Sequence, residues 1–407
     1  MVLYKNLEPT SENIQKTYND DPLGRKEDVD KFATFLKGPY CPASVAVDGE
    51  WGSGKTFFVK QVAYRLDKDT PDDSEKCLTV YYDAWENDND CDPILSIVDC
   101  IARAAEEKKQ ISVAAIMSDI LDIAEAGFSN PFFRMIQTYR DKYKERDAKS
   151  DFSYNETEPT NKQIANKLKT LYDSIIQEHG GKLIIFIDEL DRCKPNFAVS
   201  VLERVKHYIS LDDRVHIVFS VNRKQLENTV RKHYGEGYDS RNYLSRFFDL
   251  VVKIPKAGIQ SYIAPYGTDL LYSFNAEIIS NVIEYFDIQI REINSFMSAL
   301  ISVYTTVQEE QILPGLSYRH CILADVFPIL LAESFTNKKD YEKLICGDGG
   351  YIIKSFWRDK LKWDQIKIES KIRAYEGVFQ NNGSISCDEA EWFKARILQF
   401  LDKPFDV

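Results

Sequence analysis

Eight consecutive residues, Gly49-Glu50-Trp51-Gly52-Ser53-Gly54-Lys55-Thr56, fit the pattern G-x-x-x-x-G-K-[ST]. That spacing is suited to phosphate. Glycines let successive backbone N–H groups curl around an anion, and the helix that follows presents its positive end. Lys55 is placed to reach the β- and γ-phosphates, the Thr56 hydroxyl to ligate Mg2+, and Phe57 to follow on the same helix. A second group of candidates lies downstream, where the apolar run Leu183-Ile-Ile-Phe-Ile ends in Asp188 and Glu189. Asp188 can hold the water shell of Mg2+ beside Thr56, and Glu189 can orient or deprotonate an attacking water. Asp191 follows next to Arg192 and is the reserve candidate for the base. Any buried strand must end in polar residues, so the acidic pair gains its meaning from the glycine-rich loop upstream.

These residues need a strand, a tight loop and a helix to hold them. Ser44-Val-Ala-Val-Asp48 is a short apolar run before the loop, and Thr56 to Leu66 carries apolar residues at helical spacing after it. Cys77 to Asp83, Lys182 to Asp188 and Val215 to Val221 are nearly continuous in apolar residues, the pattern of strands buried on both faces. Helical patterns at Phe197 to Ile209 and Arg223 to His233 alternate with them. The alternation predicts an α/β fold with a mostly parallel sheet covered on both sides. Between the second and third strands, Ile94 to Glu107, Val113 to Ala126 and Pro131 to Arg146 predict a helical insertion, closed by a linker at Ser150 to Asn161. The strand signal fades after Val252-Lys-Ile-Pro255. Ile278 to Tyr285, Ile290 to Val307, His320 to Phe335 and Glu389 to Leu401 predict a helical C-terminal region.

Composition narrows the classes. With 407 residues, 44% hydrophobic and 29% charged, the chain can build two or three globular domains and is not a disordered one. Its net charge of −12 repels phosphate backbones and anionic lipid as a whole, so any such contact must be local. The longest stretch free of Asp, Glu, Lys and Arg, Ile293 to Gln308, is interrupted by Asn, Ser and Thr, and no membrane span is expected. Lys5 and Glu8 break any apolar run that could start a signal peptide. Eight cysteines without a C-x-x-C pair fit reduced thiols in a cytoplasm rather than a disulfide framework or a zinc site.

The loop DGEWGSGKT, the segment Tyr81-Tyr-Asp-Ala-Trp-Glu86 and the stretch IIFIDELDRCKP together resemble the KAP family of P-loop NTPases. The likeness extends to Val221-Asn-Arg-Lys-Gln-Leu226, Tyr243-Leu-Ser-Arg-Phe-Phe-Asp249 and Phe286 to Ile293. It implies an additional-strand P-loop NTPase fold, with a strand between those bearing the P-loop and the Walker B acids. On that basis residues 1–86 and 181–256 form the two parts of the NTPase core, 87–180 the helical insertion, and 257–407 a helical lid and C-terminal region. The resemblance also implies ATP hydrolysis with Mg2+ as a conformational switch, in a prokaryotic anti-phage defence system with an effector or other protein partner and a possible homo-oligomer. Asn222 resembles a sensor at the end of the fourth strand, although it could equally cap the helix that follows. Arg246 resembles a basic position that contacts γ-phosphate within or across subunits, with a surface ion pair as the alternative. Arg291 is the comparable candidate on the lid. Asp21-Pro-Leu-Gly24-Arg25 resembles the segment bordering adenine, with Arg25 as its cofactor-binding residue, or is simply a helix entry. Asp119, Asp122 and Glu125 fall in the insertion's most apolar helix, which is where some family members carry transmembrane helices.

Trp51 and Trp85 are expected to be packing anchors rather than platforms on which a base stacks. Residues 354–373 carry seven basic and three acidic side chains with Trp357 and Trp363 among them. Such a string either binds nucleic acid or is an amphipathic helix with its tryptophans in the core. The alternatives to an ATPase switch are therefore a nucleotide-gated scaffold with little turnover and a nucleic-acid-stimulated ATPase.

Overall fold

The computed structural model describes residues 7–68, 76–89, 93–109, 113–127, 139, 160–179, 181–209, 212–267, 276–309 and 321–380, with 391, 394, 395 and 398. Among the described residues five parallel strands form one sheet: β1 (Ser44–Asp48), β2 (Lys76–Asp83), β3 (Gly181–Asp188), β4 (Val215–Val221) and β5 (Leu250–Lys253). Their spatial order is β2-β3-β4-β1-β5. β4 thus lies between β1 and β3, which is the additional strand expected from the sequence. All seven residues of β4 are buried, which is why its apolar run is unbroken.

The register does the positioning. Asp83 is opposite Asp188, Asp188 opposite Ser220, and Val221 opposite Asp48. The loops that leave β1, β3 and β4 therefore start at one level, on the carboxyl edge of the sheet where ligands gather in open α/β folds.

Each face of the sheet has its own core. The helices Lys26–Lys37 and Lys55–Asp67 cover one face through Val29, Phe32, Leu36, Phe58, Val59 and Val62. The other is covered by Pro93–Lys109, Ala114–Gly127, Thr160–His179 and Pro195–Arg204. The apolar residues of the region read as an insertion join the core on the sheet instead of making a separate one. Asp119 pairs with Lys167 at 2.7 Å, a cross-helix contact between two of these elements. No helix among the described residues is long and apolar enough to cross a membrane.

A further apolar cluster gathers residues from Ile259 to Phe379. Its helices include Ala276–Tyr285, Ile290–Glu309, Phe327–Thr336, Lys338–Cys346, Gly350–Asp359 and Gln365–Phe379. Sequence patterns located the first three and, through the amphipathic reading of 354–373, parts of the last two; they missed Lys338–Cys346 and the breaks at Gly347 and Lys362, both at positive φ, that divide the region into separate helices. They also missed Thr160–His179, whose first two residues fall inside the expected linker. The expected helix at Pro131 to Arg146 lies outside the described residues apart from Tyr139, and most of Glu389 to Leu401 does too.

The basic stretch resolves into two helix segments with a turn between them. Trp357 is fully buried and stacks on Trp363 at 5.2 Å, so neither ring stands free as a platform for a base. Lys354, Lys360 and Lys371 pair with Glu376, Glu284 and Asp325, and Arg358 pairs with its neighbour Asp359. Lys367 sits 3.8 Å from the centre of the Trp363 ring.

Candidate phosphate-binding site

The glycine-rich loop links β1 to the helix Lys55–Asp67. Gly52 and Gly54 take φ values of 81° and 83°, a left-handed conformation that a side chain would strain. At Gly52 a Cβ would also meet Arg291 and Gln289 at 3.2 Å, and at Gly54 it would meet the Arg25 guanidinium at the same distance. The candidates Arg25 and Arg291, remote in sequence, thus both close on this loop.

Within the loop Lys55 is buried, and its Nζ donates to the carbonyls of Gly49 at 2.8 Å and Glu50 at 3.1 Å. Ser53 Oγ donates to the Glu50 carbonyl at 2.7 Å. Arg25 Nη1 donates to the Ser53 carbonyl at 2.9 Å, and burial pushes this guanidinium down to about 10.

The acids of the β3 corner face the loop. Thr56 Oγ1 donates to Glu189 Oε1 at 3.4 Å. Asp188 is only 1% exposed and accepts from the Tyr81 hydroxyl at 2.9 Å and from the Glu189 backbone N–H at 2.9 Å. Glu189 adopts φ 60°, an uncommon conformation for a non-glycine residue, which turns its side chain back toward Thr56. Burial, followed by the neighbouring Asp188 charge, pushes its carboxyl up to about 7, against the opposing pull of Arg192, with which it forms an ion pair. The Tyr81 hydroxyl is pushed well above its ordinary range by burial and by Asp188.

Asp191 is buried, and its carboxyl is raised by that burial. It accepts from Trp51 Nε1 at 2.5 Å. Asn222 makes the cap given as its alternative: Oδ1 accepts from the Gln225 backbone N–H at the start of the helix Arg223–Tyr234, while Nδ2 donates to Glu50 Oε2 at 2.9 Å.

Two expectations need correction. Trp51 and Trp85 are not packing anchors, being 40% and 55% exposed; one is tied to Asp191, and the other lies 5.7 Å from the Arg192 guanidinium. Arg246 is exposed beside Lys206, which donates to its carbonyl at 2.6 Å. It lies before β5, near Ser44 at the amino end of β1, so within one chain it sits at the far edge of the sheet from the P-loop. The reason is topological: the strand it precedes runs parallel to β1, and only the loops after such strands reach the carboxyl edge.

A cavity of about 280 Å³ opens between the loop, Arg25, Phe57, Glu189 and Arg291. Thr17, Gln61, Tyr262 and Asn294 also line it, and the motifs do not point to them. Tyr81 was missed as well, although its place in the strand paired with β3, five residues before Glu86 in the recognised segment, could have suggested it. Hard cations prefer oxygen donors, and Thr56, Asp188 and Glu189 supply hydroxyl and carboxylate oxygens side by side, so the residues present fit Mg2+.

A family model described as the KAP family P-loop domain matches residues 26–307. No curated protein matches the chain. Among solved structures, the Aeropyrum pernix ORC2 protein in ADPNP-ADP complexes is 11% identical, covering 93% of this chain and 86% of that one, at a TM-score of 0.35. That score is too low to bear on the fold or the site.

Proposed function

The chain belongs to the KAP family of P-loop domains, and from that premise we propose that it binds ATP with Mg2+ and hydrolyses it as a conformational switch. One observation carries the reading: the Thr56 hydroxyl and the Glu189 carboxylate meet at 3.4 Å between the P-loop and the β3 corner. Lys55, the loop N–H groups and Arg291 bind the triphosphate, and Arg25, which also lines the cavity, holds the loop through the Ser53 carbonyl. Thr56 and Asp188 would hold Mg2+, which neutralises phosphate charge when bound. Glu189 takes the proton of the attacking water, and a carboxyl pushed up to about 7 is matched to that task. Asp191 positions the loop through Trp51 rather than serving as the base.

A second reading is slow basal turnover: Arg192 pairs with Glu189, so the base is held by a cation. A protein partner or a second copy would then draw Arg192 away from Glu189. Arg246, exposed at the far edge, is available to a neighbouring subunit. A place in prokaryotic anti-phage defence beside an effector rests on the family alone, as does a cytoplasmic location on the cysteine usage.

The test is nucleotide binding and phosphate release for wild type and Glu189→Gln, with Mg2+ present and chelated. Retained binding with lost release in the variant is expected. Equal release by both proteins would remove Glu189 from its role.

A further inference from the structure

We infer that Gln61, held in one orientation by Thr17, selects a purine with an amino group at position 6 over one with a carbonyl there. This deepens the nucleotide-binding reading and rests on it.

Gln61 lies six residues past Lys55 on the same helix, about 9 Å along its axis at 1.5 Å per residue, which leaves room for an α-phosphate and ribose in between. Phe57 and Phe58, four and three residues before it, share its helical face, and all three line the cavity. Pro22, Leu23 and Ile290 line it too, so the wall at this end is largely apolar, as a flat base requires.

The orientation follows from counting protons. The Thr17 hydroxyl has one, and it goes to the Asn13 carbonyl at 2.7 Å, with the Ile14 carbonyl at 3.3 Å in the same direction. The Thr17 oxygen can therefore only accept from Gln61, at 3.0 Å, so the side facing it must be the amide NH2. That fixes the amide against flipping. Its carbonyl oxygen, which has no partner among the described residues, is the group left for a ligand. An acceptor there receives an N–H from a 6-amino group and opposes the lone pairs of a 6-oxo group. An unmatched acceptor costs affinity well beyond the loss of one contact.

The experiment measures dissociation constants of ATP, inosine triphosphate and inorganic tripolyphosphate for the full chain with Mg2+. The first two differ at position 6 of the base and in the proton that the 6-oxo base carries on N1, and the third has no base. Wild type is expected to prefer ATP to inosine triphosphate roughly tenfold or more. In Gln61→Leu the ratio should fall to near one while tripolyphosphate affinity stays unchanged. Thr17→Val, which frees the amide to turn without removing it, should lower the ratio in the same direction. Equal affinity for the two nucleotides in wild type, or a wild-type ratio kept by both variants, overturns the assignment to Gln61 and leaves the phosphate site standing. Failure of all three ligands to bind wild type overturns the site reading and this inference with it.

Discussion

Trp51 in the phosphate-binding loop and Asp191 beyond the third strand are 140 residues apart in sequence and joined by a 2.5 Å hydrogen bond from the indole N–H to the carboxylate. The bond ties the two halves of the site together. It also occupies the acid that sequence alone leaves as a rival to Glu189.

Trp51→Phe keeps an aromatic ring in the loop and deletes its donor. Asp191, buried, then loses a partner, at a cost of about 1–3 kcal/mol. Denaturant unfolding should show a lower midpoint than wild type. An unchanged midpoint would mean the contact adds nothing to the fold.

Glu189→Gln removes the base and keeps its shape. Turnover should fall about a hundredfold or more while ATP affinity is retained. Asp191→Asn should instead act through the loop, weakening ATP binding more than it lowers maximal turnover. The reverse pattern in steady-state kinetics would exchange the two roles.

The Glu189 carboxyl, pushed up to about 7, gives a pH signature. Only the ionised form accepts a proton, so kcat/KM should rise through about pH 7, and Glu189→Gln should lose that limb. Stability runs the other way. Between the ordinary value of 4.5 and about 7 the folded chain holds a proton that the unfolded chain has released, so this group destabilises the fold as pH rises across that window. A rate profile flat through neutrality would contradict the placement.

The strands that bear the site were legible because each is buried on both faces and writes its burial as an unbroken apolar run. β1 and β4 have the bounds expected, and β3 differs only in starting one residue earlier, at Gly181. The P-loop was legible because glycines at fixed spacing have few other uses. The contacts that finish the site were not. Tyr81 to Asp188, Trp51 to Asp191 and Asn222 to Glu50 join residues more than a hundred positions apart, and only the strand register brings them together. Arg246 shows the converse: its motif was visible, yet its edge of the sheet depends on the direction of β5.

The stacked pair Trp357 and Trp363 belongs to the C-terminal core. Trp357→Ala should cost about 3–5 kcal/mol, read as a fall in thermal midpoint. With Lys354, Arg358, Lys360 and Lys371 in ion pairs and Trp357 buried, this region offers little to nucleic acid, so added DNA or RNA should leave ATP turnover unchanged. Stimulation that disappears when Lys360 and Lys362 are both changed to Glu would reverse that reading.

The most direct measurement is Mg2+-dependent ATP binding and turnover by the purified chain beside Lys55→Ala. The account predicts that wild type binds ATP and releases phosphate, and that Lys55→Ala loses both. Wild-type affinity and turnover persisting in Lys55→Ala would contradict it, because the nucleotide would then not be held by the loop that defines this site.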